Sequence, residues 1–224
     1  MQNRIHLPDE PATCQLGSDL AMALRTGDLV LLSGELGAGK STLARALLRK
    51  LAGDDGLEVP SPTYTLCQTY ELPALTGAHF DFYRLGSGEQ LEERGFAEAL
   101  DRGAAIVEWP QRAMDRMPAD ALLLSIADAG EGRQVEWSGG GSGEASLGSR
   151  FQRSLAIRDF LDHAWGKGVD RRFLQGDASS RRYETVGLGG EVRIVMDAPR
   201  RPDGPPIRDG KPYSRIAHLA EDVV

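Results

Sequence analysis

Cysteine is scarce in this 224-residue chain. Cys14 and Cys67 are its only two, too few for a disulfide framework or a cysteine-rich zinc site. No apolar run approaches the ~18 residues that cross a bilayer, which excludes a membrane-spanning helix. The opening Met1–His6 has no apolar signal core, so export is not expected and a reducing cytoplasm fits best. Positive charge is also short. A net charge of −7 argues against a surface built wholly to grip nucleic acid. What is present is ordinary globular composition. With 41% hydrophobic residues the chain can bury a sizeable core and does not read as disordered.

The acidic surplus lies in residues 1–150, and the remainder is slightly basic. Between them stands Ser138-Gly139-Gly140-Gly141-Ser142-Gly143, followed by polar sequence to Arg150. Gly/Ser runs behave as flexible coils. The expectation is a domain over 1–137, an interdomain linker over 138–150 and a second segment over 151–224. A long hairpin loop inside one domain is the alternative.

In the first part, Asp9 to Arg25 reads as a helix with Leu16, Leu20, Ala23 and Leu24 on one face and Gly27 as its stop. Leu29–Ser33 reads as a fully apolar, buried parallel strand. A glycine-rich turn follows, and then a helix from Lys40 to Leu51. Strands are expected at Ala78–Tyr83, Ala104–Trp109, Leu122–Ile126 and Gln134–Trp137. Strands alternating with helices predict an α/β sandwich with a mainly parallel sheet.

The sharpest chemical signal is Gly34-Glu35-Leu36-Gly37-Ala38-Gly39-Lys40-Ser41. It matches the phosphate-loop pattern G-x-x-x-x-G-K-[ST] at every fixed position, with a strand before it and a helix after. Glycines let several backbone N–H groups turn toward one point, and the helix dipole adds positive field there. Lys40 is placed to reach β- and γ-phosphates, and the Ser41 hydroxyl to bind Mg²⁺. Such a loop needs carboxylates to hold metal and water. Asp81, in an aromatic strand, and Glu108, closing an apolar strand before Trp109-Pro110, supply them. Which of the two touches Mg²⁺ stays open at this stage. Pro60-Ser61-Pro62-Thr63-Tyr64-Thr65 is a rigid, hydroxyl-rich segment suited to a nucleotide-sensing switch.

Gly34–Thr42, Ser61–Thr65, His79-Phe80-Asp81-Phe82-Tyr83-Arg84-Leu85 and Glu108-Trp109-Pro110 stand in the order found in the bacterial TsaE (YjeE) family, which the chain closely resembles over roughly 1–137. The opening Leu7-Pro8-Asp9-Glu10 belongs to the likeness. The resemblance implies a small cytoplasmic P-loop ATPase of tRNA N6-threonylcarbamoyladenosine formation. It implies ATP and Mg²⁺ as cofactors, and slow hydrolysis stimulated by a TsaB–TsaD complex through which tRNA is met. Carried over by position, it assigns phosphate binding to Gly37, Ala38, Gly39, Lys40, Ser41 and Thr42. Ser41 and Glu108 become the metal ligands, Asp81 a support for metal or water, and Thr63 the switch hydroxyl. Trp109 packs beside the site, and Thr13 and Arg133 border the adenine.

The second segment opens with an expected amphipathic helix, Phe151–Trp165. Tyr183–Val186 and Val192–Met196 flank Gly187-Leu188-Gly189-Gly190, a hairpin signal. The piece resembles the start of an aminoglycoside-phosphotransferase-like kinase, a partial α+β N-lobe. Gly176-Asp177-Ala178-Ser179 would be its loop over ATP and Val195–Pro199 its third strand. No lysine stands in Val192–Met196 and no catalytic-loop Asp and Asn follow, so no kinase activity is expected of this sequence. Two rivals to the ATPase reading are a small-molecule kinase that uses the N-terminal P-loop, and a nucleotide-dependent protein-binding module without turnover.

Overall fold

A computed structural model describes residues 3–86, 91, 95–174, 181–198, 206–208 and 211–212. The chain divides into two compact units, Met1–Arg158 and Asp159–Val224.

The first unit is built on a seven-stranded sheet of order β1-β7-β6-β2-β5-β4-β3. Its strands are β1 (Arg4–Leu7), β2 (Leu29–Gly34), β3 (Cys67–Glu71), β4 (Thr76–Asp81), β5 (Gly103–Glu108), β6 (Leu122–Asp128) and β7 (Arg133–Gly139). The four central strands β6-β2-β5-β4 are parallel, and β1, β7 and β3 add antiparallel edges. This is the expected α/β sandwich. Consecutive side chains of β2 enter opposite faces, which is why the whole of Leu29–Leu32 must be apolar. Val30 and Leu32 join Ile106, Leu122, Leu124 and Ile126 under the helices α1 (Glu10–Ala21) and α2 (Lys40–Ala52). Leu29 and Leu31 join Ala105, Val107, Phe80 and Phe82 on the other face, against α3 (Phe96–Arg102). Phe80, Phe82 and Phe96 meet edge to face at centroid spacings of 5.3–6.4 Å.

Two sequence expectations need correction here. The first helix ends at Ala21 instead of Arg25. Asp9 caps its start by accepting from the Ala12 N–H at 2.8 Å. Beyond Ala21 the chain tightens into i→i+3 bonds, Ala23 to Leu20 and Leu24 to Ala21, which close the final turn and redirect the backbone. The second correction concerns 138–150. This stretch carries the end of β7, a turn and the start of α4 (Leu147–Trp165), and the compact units part after Arg158. Leu147 and Phe151 lie in the core with Trp137. The Arg150 guanidinium is buried, donating to the carbonyls of Ala23 and Ala145 and pairing with Asp28. Burial raises the Asp28 carboxyl from its usual range, and Arg150 opposes that shift. One helical turn later, Ser154 donates to the Asp19 carbonyl at 2.7 Å. Arg158 forks onto the Asp19 carboxylate at 3.0–3.1 Å.

The second unit holds an antiparallel sheet of order β10-β9-β8, from β8 (Asp170–Leu174), β9 (Arg182–Leu188) and β10 (Glu191–Asp197). The expected hairpin is present, turning at Gly189-Gly190. Arg171 is fully buried and grips Glu184 through two bonds of 2.7 and 2.8 Å. A short pair, β11 (Pro206–Arg208) and β12 (Lys211–Pro212), follows. The expected Gly176–Ser179 loop and Pro199 lie outside the described residues. Among the described residues no helix is long and apolar enough to cross a membrane.

Candidate functional site

The parallel strands β2, β4 and β5 point their carboxyl ends the same way, and the chemistry collects there. This is where open α/β sheets present their ligand-binding groups. β2 runs out at Gly34 into the glycine turn, and α2 starts at Lys40. Gly39 caps that helix with φ +105°, a left-handed conformation that a residue with a side chain adopts only under strain. No side chain caps α2, so its first-turn amides face the loop without a side-chain acceptor. Lys40 folds back over the turn. Its ammonium donates to the carbonyls of Gly34 and Glu35, both at 2.8 Å, and lies 3.8 Å from the centre of the Trp109 ring. Burial pushes the Lys40 amine below the usual lysine range, while the carboxylates of Glu108, Asp81 and Glu35 pull it back.

Asp81 closes β4 and Glu108 closes β5, and the register sets them side by side. Both are almost fully buried. The Glu108 carboxylate is split between two partners. Oε2 accepts from the Ser41 hydroxyl at 2.8 Å, and Oε1 meets Nε2 of His79 at 2.9 Å. Asp81 is held differently. Its Oδ2 accepts from the hydroxyls of Ser61 at 2.9 Å and Thr63 at 3.1 Å, and its Oδ1 from the Tyr83 N–H at 2.9 Å. The segment after Ser61 is tied to the same strand by backbone bonds. Leu66 N–H donates to Pro62 and Asp81 N–H to Leu66. Trp109 follows Glu108 at φ +60°, a strained conformation for a bulky residue. That bend sets its indole over Lys40 and 5.0 Å from the Tyr83 ring.

Lys40, Ser41, Thr63, Asp81 and Glu108 therefore meet at one end of the sheet, with Gly37 and Ala38 in the turn and Thr42 one residue into α2 beyond Ser41. Thr13 is buried against the turn. Its methyl lies 3.7 Å from where a Cβ on Gly39 would stand, and its hydroxyl donates to the Asp9 carbonyl. Arg133 sits at the same end of the sheet, two strands from β2, with its guanidinium on Gly132 O at 2.8 Å and Asp128 at 3.5 Å. Two participants were not singled out from sequence, Ser61 as a partner of Asp81 and His79 as a partner of Glu108. Both lie inside quoted motifs, but only the register shows which carboxylate each one holds.

Hard oxygen donors suit Mg²⁺, and the Ser41–Glu108 contact brings a hydroxyl and a carboxylate together. No group of three or more His, Cys, Asp or Glu that could cage a metal exists among the described residues.

A family model described as "Threonylcarbamoyl adenosine biosynthesis protein TsaE" matches residues 7–135. Proteins named tRNA threonylcarbamoyladenosine biosynthesis protein TsaE are similar to the chain. The one from Rickettsia felis is 32% identical, over 74% of this chain and 96% of its own length. That from Haemophilus influenzae is 33% identical, over 58% and 85%. That from Streptomyces coelicolor is 40% identical, over 50% and 76%. Among solved structures, that of Bacillus subtilis YdiB superposes with a TM-score of 0.55 at 23% identity, covering 72% of this chain and 97% of that one, a likeness of fold.

Proposed function

The chain belongs to the TsaE family of threonylcarbamoyl adenosine biosynthesis proteins, and we propose that it is the ATP-binding and ATP-hydrolysing member of a cytoplasmic tRNA-modification system. It works with a TsaB–TsaD complex to form threonylcarbamoyladenosine and meets tRNA through that complex. The observation that carries the ATPase reading is the Ser41–Glu108 hydrogen bond at the head of α2, beside Lys40 and Asp81.

The amides of Gly37 to Thr42 and the Lys40 ammonium bind the phosphates. Thr13 and Arg133 border the base. Ser41 and Glu108 would hold Mg²⁺, which would supply positive charge to the phosphate oxygens. Asp81, supported by Ser61 and Thr63, orients the attacking water. The two hydroxyls come from the switch segment, so movement of that segment changes what Asp81 can accept. Trp109 covers Lys40 and excludes water from the phosphate end of the site.

The second unit we read as an aminoglycoside-phosphotransferase-like N-lobe without activity of its own. Its antiparallel β8-β9-β10 sheet and the absence of lysine from β10 support that.

The test is Mg²⁺-dependent ATP hydrolysis with and without purified TsaB–TsaD. Slow turnover alone that rises with the partners is expected, and hydrolysis indifferent to them would overturn the partner-dependent reading. Glu108→Ala should lower turnover by at least the roughly 10- to 100-fold typical of losing a partner behind a metal ligand, with ATP affinity in EDTA little changed. Undiminished Mg²⁺-dependent hydrolysis would remove Glu108 from its role.

A further inference from the structure

Among the described residues, His79 is the one buried titratable side chain beside the site to which the ATPase reading gives no work. It lies two residues before Asp81 on β4, hence on the same face of the sheet, and it is register-paired with Ile106. That places it diagonally across from Glu108, within reach of a long side chain on the neighbouring strand. Both residues are at most 2% exposed. The imidazole Nε2 stands 2.9 Å from Glu108 Oε1, and Nδ1 has no hydrogen-bond partner among the described residues. A carboxylate oxygen can only accept, so Nε2 carries the proton.

We infer that His79 is a positioning residue that fixes the Glu108 carboxylate. By occupying Oε1 it locks the carboxylate rotation and leaves Oε2 turned toward Ser41 and the metal position. Without the Nε2–H bond the carboxylate could rotate and present either oxygen, or neither, in line with the Ser41 hydroxyl. Partners behind metal ligands typically orient the ligand in this way. The inference rests on the reading of Glu108 as a Mg²⁺ ligand. It adds to that reading the buried side chain that aims the ligand.

Glutamine and methionine are close in length and differ in whether they bear an N–H, so His79→Gln and His79→Met isolate the donor. The readout is ATP binding by calorimetry, titrated with Mg²⁺ and repeated in excess EDTA. His79→Met should need ~10-fold or more higher Mg²⁺ to reach half its effect, with unchanged affinity in EDTA, and His79→Gln should recover most of the loss. A His79→Met protein with the wild-type Mg²⁺ requirement overturns the inference, as does a His79→Gln protein that falls equally far. A wild-type protein blind to Mg²⁺ overturns the underlying metal reading and the inference with it. A measurement on the unmodified chain guards against variants that do not fold. The ¹⁵N spectrum of the imidazole should show His79 protonated at Nε2, its resonance shifting when Mg²⁺ and ATP are added together. Protonation at Nδ1 alone would mean that no donor faces Glu108, and that too overturns the inference.

Discussion

Lys40→Ala is expected to weaken ATP binding by about 30- to 100-fold. The ammonium donates two hydrogen bonds in the structure, to the carbonyls of Gly34 and Glu35. A bound triphosphate would offer charged oxygens in place of those neutral acceptors. Hydrogen bonds to charged groups contribute about 1–1.5 kcal/mol more than neutral ones, and exchanging two gives about one and a half to two decades of affinity. Lys40→Met separates charge from bulk, because it keeps a side chain of similar length and removes the ammonium that lies over the Trp109 ring. If phosphate contact is what matters, both variants lose binding alike by calorimetry. Methionine binding near wild-type strength would mean that Lys40 acts by packing against Trp109, and the phosphate assignment would fail.

Arg158→Leu is expected to destabilise the first unit by about 3–5 kcal/mol. Asp19 is 2% exposed, and Arg158 meets both of its carboxylate oxygens. Removing the guanidinium takes these bonds from a buried carboxylate, to which Gln15 also donates at 3.4 Å. A buried ion pair adds little over a well-packed apolar pair, whereas half of one is costly. The double variant Asp19→Leu with Arg158→Leu should therefore recover most of the loss. Urea unfolding followed by tryptophan fluorescence tests this. A single variant as stable as wild type, or a double variant worse than the sum of the singles, would show that the pair does not hold α4 to α1.

The glycine turn between β2 and α2 was legible because its pattern is local. Eight consecutive residues define it, and the flanking strand and helix are themselves strong signals. Asp81 and Glu108 were legible as acids closing strands. Their adjacency was not, since it depends on the β4–β5 register, and with it went the pairing of His79 to one acid and of Ser61 to the other. The edge strands left little trace. In β3, Cys67–Glu71, only Tyr70 is buried, so no alternation marks it. β1 is four residues long with one buried side chain. The misread linker has a different cause. Glycine marks flexible coil by composition, yet glycine is also what a tight approach requires. A Cβ on Gly140 would stand 2.5 Å from the Gly148 amide, so this turn closes onto α4 only with glycine there.

The burial of Phe151 also bears on how such a gene can be cut and joined. Its ring stands 5.3 Å from that of Trp137, fully enclosed in the core of the first unit. A recombination junction at the glycine run would take Leu147 and Phe151 away from the core they complete and the Arg158 clasp away from α1. Loss of the phenylalanine alone costs about 3–5 kcal/mol, comparable to a small domain's whole margin. Lineages that acquire or shed a downstream neighbour would therefore keep the first half of α4 with the seven-stranded unit, and tolerated breakpoints should cluster beyond Arg158.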